Sequence, residues 1–265
     1  MKRWIPFLKT DPVVSVLRIS GAIGTGGRGS LTDQSLAQVA DRAFKRGKPV
    51  AVALVINSPG GSPVQSSLIA ARIRRLADEK KIPVYAFVED VAASGGYWLA
   101  ASADEIWADR SSILGSIGVI SAGFGVSNLL EKHGVERRVY TAGKSKSQLD
   151  PFTPENPEDV TRLKVLLNDI HTNFIDHVKS RRGDRLDADS DVFTGEFWLG
   201  DRSVKLGLAD GIGHLVPKMK EIFGDKVKFT PYGDRKSLLQ RFGANVARDM
   251  LGDIEERAIF ARYGL

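Results

Sequence analysis

A serine stands among small residues in the stretch VAASGGYWLA, residues 91–100, and has the surroundings of a nucleophile. Two alanines precede Ser94 and two glycines follow it, so that little side-chain bulk opposes the close approach of another group. Ser94 falls at the predicted start of a helix, where the partial positive charge of the helix favours an alkoxide or an oxyanion. A helix N-cap is the ordinary role of such a serine, but a cap does not explain the Gly-Gly pair.

A second pair of glycines follows a proline in NSPGGS, residues 57–62, at the end of the preceding predicted strand. The backbone N–H groups of this turn could point at a ligand oxygen, although a plain strand-to-helix turn would explain the same residues. Sites in α/β sheets lie at the carboxyl ends of the strands. One strand end offers a hydroxyl and its neighbour offers bare backbone donors, which together fit acyl transfer by a nucleophile with an oxyanion hole.

The base that would activate the serine has several candidates. The segment DRSSILGSIGVI, residues 109–120, contains no histidine, and His133 lies further on, at the end of a predicted helix. The stretch TAGKSKSQLDPF offers Lys144 and Lys146, as in the Ser–Lys variants of the catalytic triad. A lysine accepts a proton only when it is neutral, which requires an apolar, desolvated setting. Two solvated loop lysines are the alternative interpretation.

The apolar pattern places these motifs on an α/β fold. Continuous or alternating apolar runs predict strands at 13–19, 50–56 and 83–88, with short strands near 105–108, 117–120 and 137–141. Helical spacing predicts helices that begin at Thr32 or Asp33 and that cover 64–79, 126–133 and 157–180. The order βαβαβα predicts a mostly parallel sheet flanked by helices.

The composition limits which partners and cofactors can be expected. The 265 residues carry a net charge of +6 in scattered basic residues, without a nucleic-acid-binding pattern, and the absence of cysteine excludes disulfides and thiolate metal ligands. The histidines have no metal-ligand spacing. The apolar N-terminal stretch is short and Pro6 interrupts it, so no signal peptide or membrane span is predicted. We expect a cytoplasmic chain with at most peripheral contact with a membrane.

Two glycine-rich patterns formally resemble nucleotide-binding motifs. GTGGRG, residues 24–29, satisfies G-x-G-x-x-G with Asp41 downstream, but four residues separate it from the strand, and a flexible loop explains the glycines. GKS at 143–145 lacks the upstream glycine of a P-loop, since position 138 is arginine. No metal or nucleotide cofactor is therefore predicted.

From about Val13 to Pro231 the chain resembles the signal peptide peptidase A (SppA) and SohB family of serine proteases, which are relatives of the Clp protease fold. The resemblance is carried by six motifs in order, namely VVSVLRISGAI, INSPGGS, VEDVAASGGYWLAASADEIWA, SSILGSIGVI, TAGKSKSQLDPF and VFTGEFWLGDRSVKLGLADGIG. It implies a Clp protease/crotonase-like sheet and no cofactor. Family members usually carry an N-terminal membrane anchor that this sequence does not show, so the location and the native substrate stay open.

The resemblance also implies roles for individual residues. Ser94 corresponds to the nucleophile, and the family spacing G-x-x-K-x-x-x-x-P-F makes Lys146, rather than Lys144, the base. The backbone N–H groups of Gly61 and Gly95 would form the oxyanion hole. Ser116, in GSIG, is a candidate for orienting the lysine through a hydrogen bond.

The implied activity is that of a serine endopeptidase with a Ser–Lys dyad, which cuts extended peptides such as remnant signal peptides or unfolded proteins. A crotonase-like acyl-CoA enzyme, which needs neither Ser94 nor Lys146, and an inactive scaffold of the same fold are the alternatives. Related proteins form rings in which serine and lysine can come from different subunits. We expect a homo-oligomer that is inactive as a monomer, with Lys146 reaching the serine of an adjacent subunit.

A single peptidase domain over residues 1–265 is predicted, with an N-terminal arm at 1–12, a Clp-like core at 13–231 and a C-terminal helical extension at 232–265. The helix is indicated by an apolar stripe with a spacing of three to four residues, formed by Leu239, Phe242, Val246, Met250, Ile254, Ala258 and Ala261. This stripe would pack either on the chain's own core or on a partner.

Overall fold

The computed structural model of the protein describes residues 11–24, 31–143, 145–233 and 260–265. The predicted N-terminal arm, except for its last two residues, and most of the predicted C-terminal helix lie outside these residues. The described part confirms the predicted mostly parallel sheet flanked by helices. The elements, in chain order, are β1 (Val13–Ser20), α1 (Asp33–Lys45), β2 (Ala51–Ser58), α2 (Pro63–Lys80), β3 (Val84–Ala93), α3 (Gly95–Ala101), β4 (Glu105–Ala108), β5 (Ile113–Gly115), α4 (Ser127–Lys132), α5 (Pro157–Arg182), β6 (Phe197–Leu199), α6 (Gly200–Lys205), β7 (Gly211–Ile212), α7 (Leu215–Phe223) and β8 (Lys228–Tyr232).

The sheet has the strand order β6-β5-β3-β2-β1-β8, and β4 pairs with β3 and β7 beside this path. Every pairing is parallel except that of β5 with β6. The long strand β3 pairs with β4 over its first half and with β5 over its second half. Strands β3 and β5 therefore end beside each other, and the candidate nucleophile Ser94 directly follows β3.

The central strands are apolar because both of their faces are covered. Residues 51–56 of β2 are all buried, as the uninterrupted run VAVALVI predicts. One face packs against α7 through a core cluster that includes Val14, Val55, Phe87 and Met219. Helix α1 begins after Thr32, whose side chain accepts a hydrogen bond from the backbone of Ser35 in a capping box. The predicted start of α1 is thereby confirmed.

Two of the predicted short strands are wrong. The predicted strand at 117–120 is instead β5 at Ile113–Gly115, because Ser116 has a left-handed φ of 52° and ends the pairing. The segment 137–141 is exposed irregular chain, and no strand among the described residues pairs with it. Arg137 there bonds to Asp150 rather than contributing to a sheet. A β-branched or apolar run forms a strand only where a neighbouring edge accepts its hydrogen bonds.

The chain divides into two compact units, residues 1–117 with 175–265 and residues 118–174. The first unit contains the sheet. The second contains α4 and the first two thirds of α5. The predicted organisation as one peptidase domain stays a prediction. Among the helices that the structure describes, none combines the length and the apolar character needed to cross a membrane.

A buried ion pair ties the end of α5 to the loop before β7. The Arg182 guanidinium, only 1% exposed, donates to both carboxylate oxygens of Asp210 over 2.7 and 3.1 Å and to the carbonyl of Gly207 over 2.8 Å. Burial by itself would raise the pKa of the Asp210 carboxyl. The hydrogen bonds and the charge of Arg182 outweigh it and hold that pKa below its ordinary value.

We expect Asp210→Asn to lower the free energy of unfolding by about 3–5 kcal/mol at pH 7, because it leaves the buried Arg182 charge without its carboxylate counter-charge. Because the folded-state pKa of Asp210 is depressed, the stabilisation is present above the unfolded pKa of about 4 and disappears as the pH falls through the folded pKa. Urea unfolding of both proteins should therefore show a difference that shrinks in acid.

The matched control is Asp201→Asn, which removes an exposed ion pair between Arg110 and Asp201, with side chains 73% and 53% exposed. Exposed pairs contribute little, so we expect no more than about 0.5 kcal/mol there. Equal losses in the two variants, or a loss for Asp210→Asn that grows in acid, would contradict the assigned role of the buried pair.

Candidate active site

Ser94 lies in the sharp turn between β3 and α3. Its backbone has φ 51° and ψ −122°, a conformation that costs a residue with a side chain about 1–3 kcal/mol. The turn is held because the Ser94 N–H donates to the carbonyl of Gly115 at 2.9 Å and the Trp98 N–H donates to the Ser94 carbonyl at 3.0 Å. The Ser94 side chain makes no capping bond to α3 and is partly exposed. The N-cap explanation therefore does not account for Ser94.

The loop of NSPGGS packs directly against this turn. Gly60 has φ 97°, and a Cβ built there would lie 2.8 Å from the Ser94 Cβ and 2.7 Å from the Gly95 nitrogen. A Cβ on Gly95 would collide with the hydroxyl of Ser66 and stand 3.3 Å from the Gly61 nitrogen. The glycines are thus required for the two loops to meet, and the two predicted oxyanion donors lie side by side.

Hydrogen bonds with the chain that follows β1 fix the glycine loop, and they do not use the Gly61 N–H. Ile23 donates to the Gly60 carbonyl at 2.8 Å, and Ser62 donates to the Ile23 carbonyl at 2.7 Å. The Gly60 N–H donates to the hydroxyl of Ser58 at 3.3 Å. Among the residues that the structure describes, the Gly61 N–H has no acceptor.

Gly95 is the second bare donor. As the first residue of α3 it has no intrahelical acceptor for its N–H, because the first N–H groups of a helix are always left unpaired within it. Among the described residues, the N–H groups of Gly61 and Gly95 thus have no acceptor, and they belong to the loop and the turn that meet at Ser94. This is the composition of an oxyanion hole next to a hydroxyl.

Ser116 directly follows the neighbouring strand β5, as Ser94 directly follows β3. Ala93 and Gly115 are partners in the β3–β5 ladder, so the two serines occupy the next positions of adjacent strands, and both have a positive φ. The Ser116 N–H donates to the carbonyl of Glu196 at 2.6 Å. The first unit therefore brings together four of the predicted site residues, Ser94, Gly61, Gly95 and Ser116.

Lys146 belongs to the second unit, residues 118–174, where it lies in a turn whose backbone N–H donates to the carbonyl of Gly143 at 3.2 Å. The turn is followed by Asp150, which pairs with Arg137 at 2.9 Å. Among the described residues, the Lys146 side chain is exposed. Its role as the base stays a prediction. The other candidate lysine, Lys144, lies outside the described residues.

Helix α3 is anchored from behind by buried polar contacts. The fully buried Tyr97 donates its hydroxyl to the carbonyl of Leu208 at 2.9 Å. The ring of His177 stacks on Trp98 with centroids 5.2 Å apart, and its Nε2 lies 3.0 Å from the Trp98 carbonyl oxygen. Burial lowers the pKa of His177, which favours the neutral ring. These contacts fix the start of α3 and, with it, the Gly95 N–H.

One residue at this site was not anticipated from the sequence. The hydroxyl of Tyr263 lies 3.4 Å from the carbonyl oxygen of Pro59 and 3.3 Å from the hydroxyl of Ser116. Tyr263 follows the predicted apolar stripe of the C-terminal helix without being part of it, and no local pattern connects FARYGL to residues 59 and 116. Only the tertiary structure reveals this contact.

The Ser94 hydroxyl lies on a strained strand-to-helix turn, next to two backbone N–H groups that have no acceptor among the described residues. Such an arrangement can catalyse acyl transfer. The oxygen can attack a carbonyl carbon while the donors stabilise the negative charge that develops on the carbonyl oxygen. The chain belongs to peptidase family S49, whose sequence profile matches residues 77–222. This match confirms the predicted resemblance to SppA and SohB proteases.

Of three individual relatives, two are named as proteases, in agreement with the family assignment, and one is named as an antiporter. Over its whole length the chain is 49% identical to part of the protein named Na(+)/H(+) antiporter NhaA in Brucella melitensis, and the match covers 39% of that protein. It is 34% identical to the probable protease SohB of Haemophilus influenzae, over 72% of this chain and 54% of the relative. A putative protease of Synechocystis is 29% identical over 88% of this chain and 83% of its own length. The chain thus spans about half or less of the first two of these relatives.

Among solved structures, a complex of the 1510-N membrane-bound stomatin-specific protease with a substrate peptide aligns with 93% of this chain and 99% of its own, at 14% identity and a TM-score of 0.48.

Proposed function

We propose that this chain is a serine endopeptidase in which Ser94 is the nucleophile, Lys146 is the base and the N–H groups of Gly61 and Gly95 form the oxyanion hole. The observation that carries the proposal is the conformation of Ser94. Its backbone is strained, its side chain caps nothing, and it adjoins two unsatisfied N–H groups. Strain that no structural role explains is expected where function requires it.

In the proposed reaction, a neutral Lys146 amine takes the proton of the Ser94 hydroxyl, and the serine oxygen attacks the scissile carbonyl carbon. The Gly61 and Gly95 N–H groups stabilise the tetrahedral oxyanion. The protonated lysine then gives its proton to the leaving amine, which departs with the C-terminal part of the substrate. A water molecule repeats the sequence on the acyl-enzyme and releases the acid.

The second unit supports the proposal that the dyad is shared between subunits of a homo-oligomer. Among the described apolar residues of 118–174, only Phe174 is buried, so this unit has almost no core of its own. Phe124 and Tyr140 are 89% and 91% exposed. Large apolar side chains are exposed here at Ile120, Phe124, Leu129, Val135, Val139, Tyr140, Leu149, Phe152, Val165 and Leu166.

Exposure of this many large apolar side chains indicates a surface that a partner covers. If a second copy covers it, the same contact removes water from the exposed Lys146 and supplies the setting that a neutral amine needs. We therefore propose that Lys146 of one subunit serves Ser94 of its neighbour within a ring, and that an isolated monomer is inactive.

Extended or unfolded peptides, including remnant signal peptides, are the proposed substrates, because a peptide bond reaches a nucleophile of this kind only when its backbone is accessible. The crotonase-like alternative would not require the Ser94 hydroxyl, and membership of a peptidase family favours the protease. The cytoplasmic location, with at most peripheral contact with a membrane, stays a prediction.

Covalent labelling tests the nucleophile without depending on the right substrate. We expect a fluorophosphonate probe to modify the protein at Ser94, located by peptide mapping, and to leave Ser94→Ala unmodified. Ser111→Ala, which changes an exposed serine outside the site, should label like the wild type. Labelling at another serine, or equal labelling of Ser94→Ala, would show that Ser94 is not the activated residue.

A further inference from the structure

A cavity of about 550 Å³ lies between the sheet and the start of α7, and the proposed catalytic residues do not line it. Val55 of β2 and Phe87 of β3, which are register partners, contribute apolar side chains to its lining. Leu215 and Val216, the first two residues of α7, contribute two more. A cavity of this volume with apolar walls is large enough to receive a side chain of a bound peptide.

Carboxylates outnumber cations around this cavity. Its charged and titratable lining residues are Arg18, Glu89, Asp90, Asp109 and His214. Arg18 bonds to Glu89 at 2.6 Å, and the His214 ring, which is charged only when it is protonated, lies 2.9 Å from Asp109. Asp90 accepts a hydrogen bond from the uncharged amide of Asn57 at 2.6 Å. The ionised lining therefore keeps a net negative charge whether or not His214 is protonated.

The cavity lies within reach of a substrate that is bound at Ser94. Asp90 and Ser94 are four positions apart, and β3 continues to Ala93, so that a rise of about 3.3 Å per residue puts their Cα atoms about 13 Å apart. An extended peptide has the same rise and spans this distance with four residues. A substrate whose scissile bond lies at Ser94 can therefore place the side chain of its fourth or fifth residue from that bond in the cavity.

We propose that this cavity binds a lysine or arginine side chain of the substrate, four or five residues from the scissile bond. The inference rests on the proposed function and names a substrate class for the same site. The methylene stem of such a side chain packs on Val55, Phe87 and Leu215, while its cationic end meets Asp90 and Asp109. A glutamate at the same position would be repelled by these carboxylates, and an uncharged side chain would gain nothing from them.

The charge of the cavity persists at neutral pH and agrees with one of the proposed substrates. Hydrogen bonds from the Ser111 backbone and from His214 hold the pKa of Asp109 below its ordinary value, so this carboxylate stays ionised. Since Asp109 is 46% exposed, its attraction for a cation is screened by salt. A basic residue beside an apolar stretch is the composition of a signal peptide, which offers both parts that the cavity would bind.

The test compares cleavage of three peptides that differ only in the residue four or five positions from the cleaved bond, which is lysine, norleucine or glutamate. Each side of the bond is tested in turn, and the cleaved bond is located by mass spectrometry. We expect the lysine peptide to have a KM about three- to tenfold below that of the norleucine peptide with kcat unchanged, because the cavity is remote from the reacting atoms. The difference should shrink in about 0.5 M salt.

Variants of Asp90 test the charge directly. Asp90→Asn should reduce the preference for lysine to less than about twofold. The asparagine oxygen can still accept the hydrogen bond from Asn57, so the fold should be kept. Asp90→Lys should shift the preference to the glutamate peptide. Asp41→Asn, which removes a carboxylate that pairs with Lys45 on α1, is the matched control and should keep the wild-type preference.

Binding to Ser94→Ala, which should not cleave, separates recognition from catalysis. Fluorescence anisotropy should show the lysine peptide binding about three- to tenfold more tightly than the norleucine peptide. Equal binding and equal KM, or a preference for lysine that persists in Asp90→Asn and Asp90→Lys, would overturn the inference, while cleavage that depends on Ser94 would leave the proposed function in place. If no peptide is cleaved and Ser94 cannot be labelled, the proposed function fails, and the binding comparison still decides whether the cavity takes a basic side chain.

Discussion

Ser94→Ala is expected to lower kcat for peptide cleavage by at least about three orders of magnitude, because the hydroxyl that forms the acyl-enzyme is removed and only the oxyanion donors remain. The fold should tolerate the change. The Ser94 side chain makes no capping bond, and alanine is smaller than serine in the tight space against Gly60. Turnover should be measured with an unstructured fluorogenic peptide, and folding with thermal unfolding of the same preparations.

Lys146→Ala should cause a loss of similar size if lysine is the base, and Lys146→Arg should not restore activity, since a guanidinium stays charged. Ser111→Ala serves as the control for a serine-to-alanine change outside the site. Wild-type turnover by Ser94→Ala would end the assignment of the nucleophile. Turnover of an acyl-CoA ester by both Ser94→Ala and Lys146→Ala would favour the crotonase-like chemistry instead.

Much of the fold of the first unit could be predicted from the sequence, because the local preferences of its residues agree with the way in which they pack in the tertiary structure. The run VAVALVI can be stable only where both faces are covered, and it forms the buried strand β2. The Gly-Gly pair after Ser94 predicts that another group approaches this serine closely, and Gly60 indeed packs on Ser94. In each case the composition of a few consecutive residues reports the environment directly.

Other features depend on partners that are distant in sequence. The short strands β6 and β7 have two or three residues each, and they exist only because β5 and β4 offer an edge. Tyr263 contacts Pro59 across 204 positions of the chain, and no periodicity encodes such a contact. The segment 137–141 has apolar residues but no edge to join, which is why the strand predicted there is absent from the described residues.

Lys146 is exposed in the structure, whereas the sequence predicts that this lysine is the base. A dyad shared between two subunits would reconcile the two, and mixed assemblies can test it. A lysine accepts the Ser94 proton only in its neutral form, which an apolar setting without water favours. If that setting comes from a neighbouring copy, Ser94→Ala and Lys146→Ala, each inactive alone, should complement each other when they assemble together. A site with both intact groups then forms wherever a Lys146→Ala chain receives the lysine of a Ser94→Ala chain.

For random co-assembly of equal amounts, about a quarter of the sites contain both intact groups, so about a quarter of wild-type turnover should return, whereas a dyad within one chain would give none. Wild type mixed with the double variant distinguishes the same alternatives, at about a quarter for a shared dyad and about a half for a dyad within one chain. Differently tagged chains, purified through both tags, establish that mixing has occurred. Absence of recovery in such mixed assemblies would place serine and lysine in the same subunit, and the exposed apolar surface of residues 118–174 would then need another explanation.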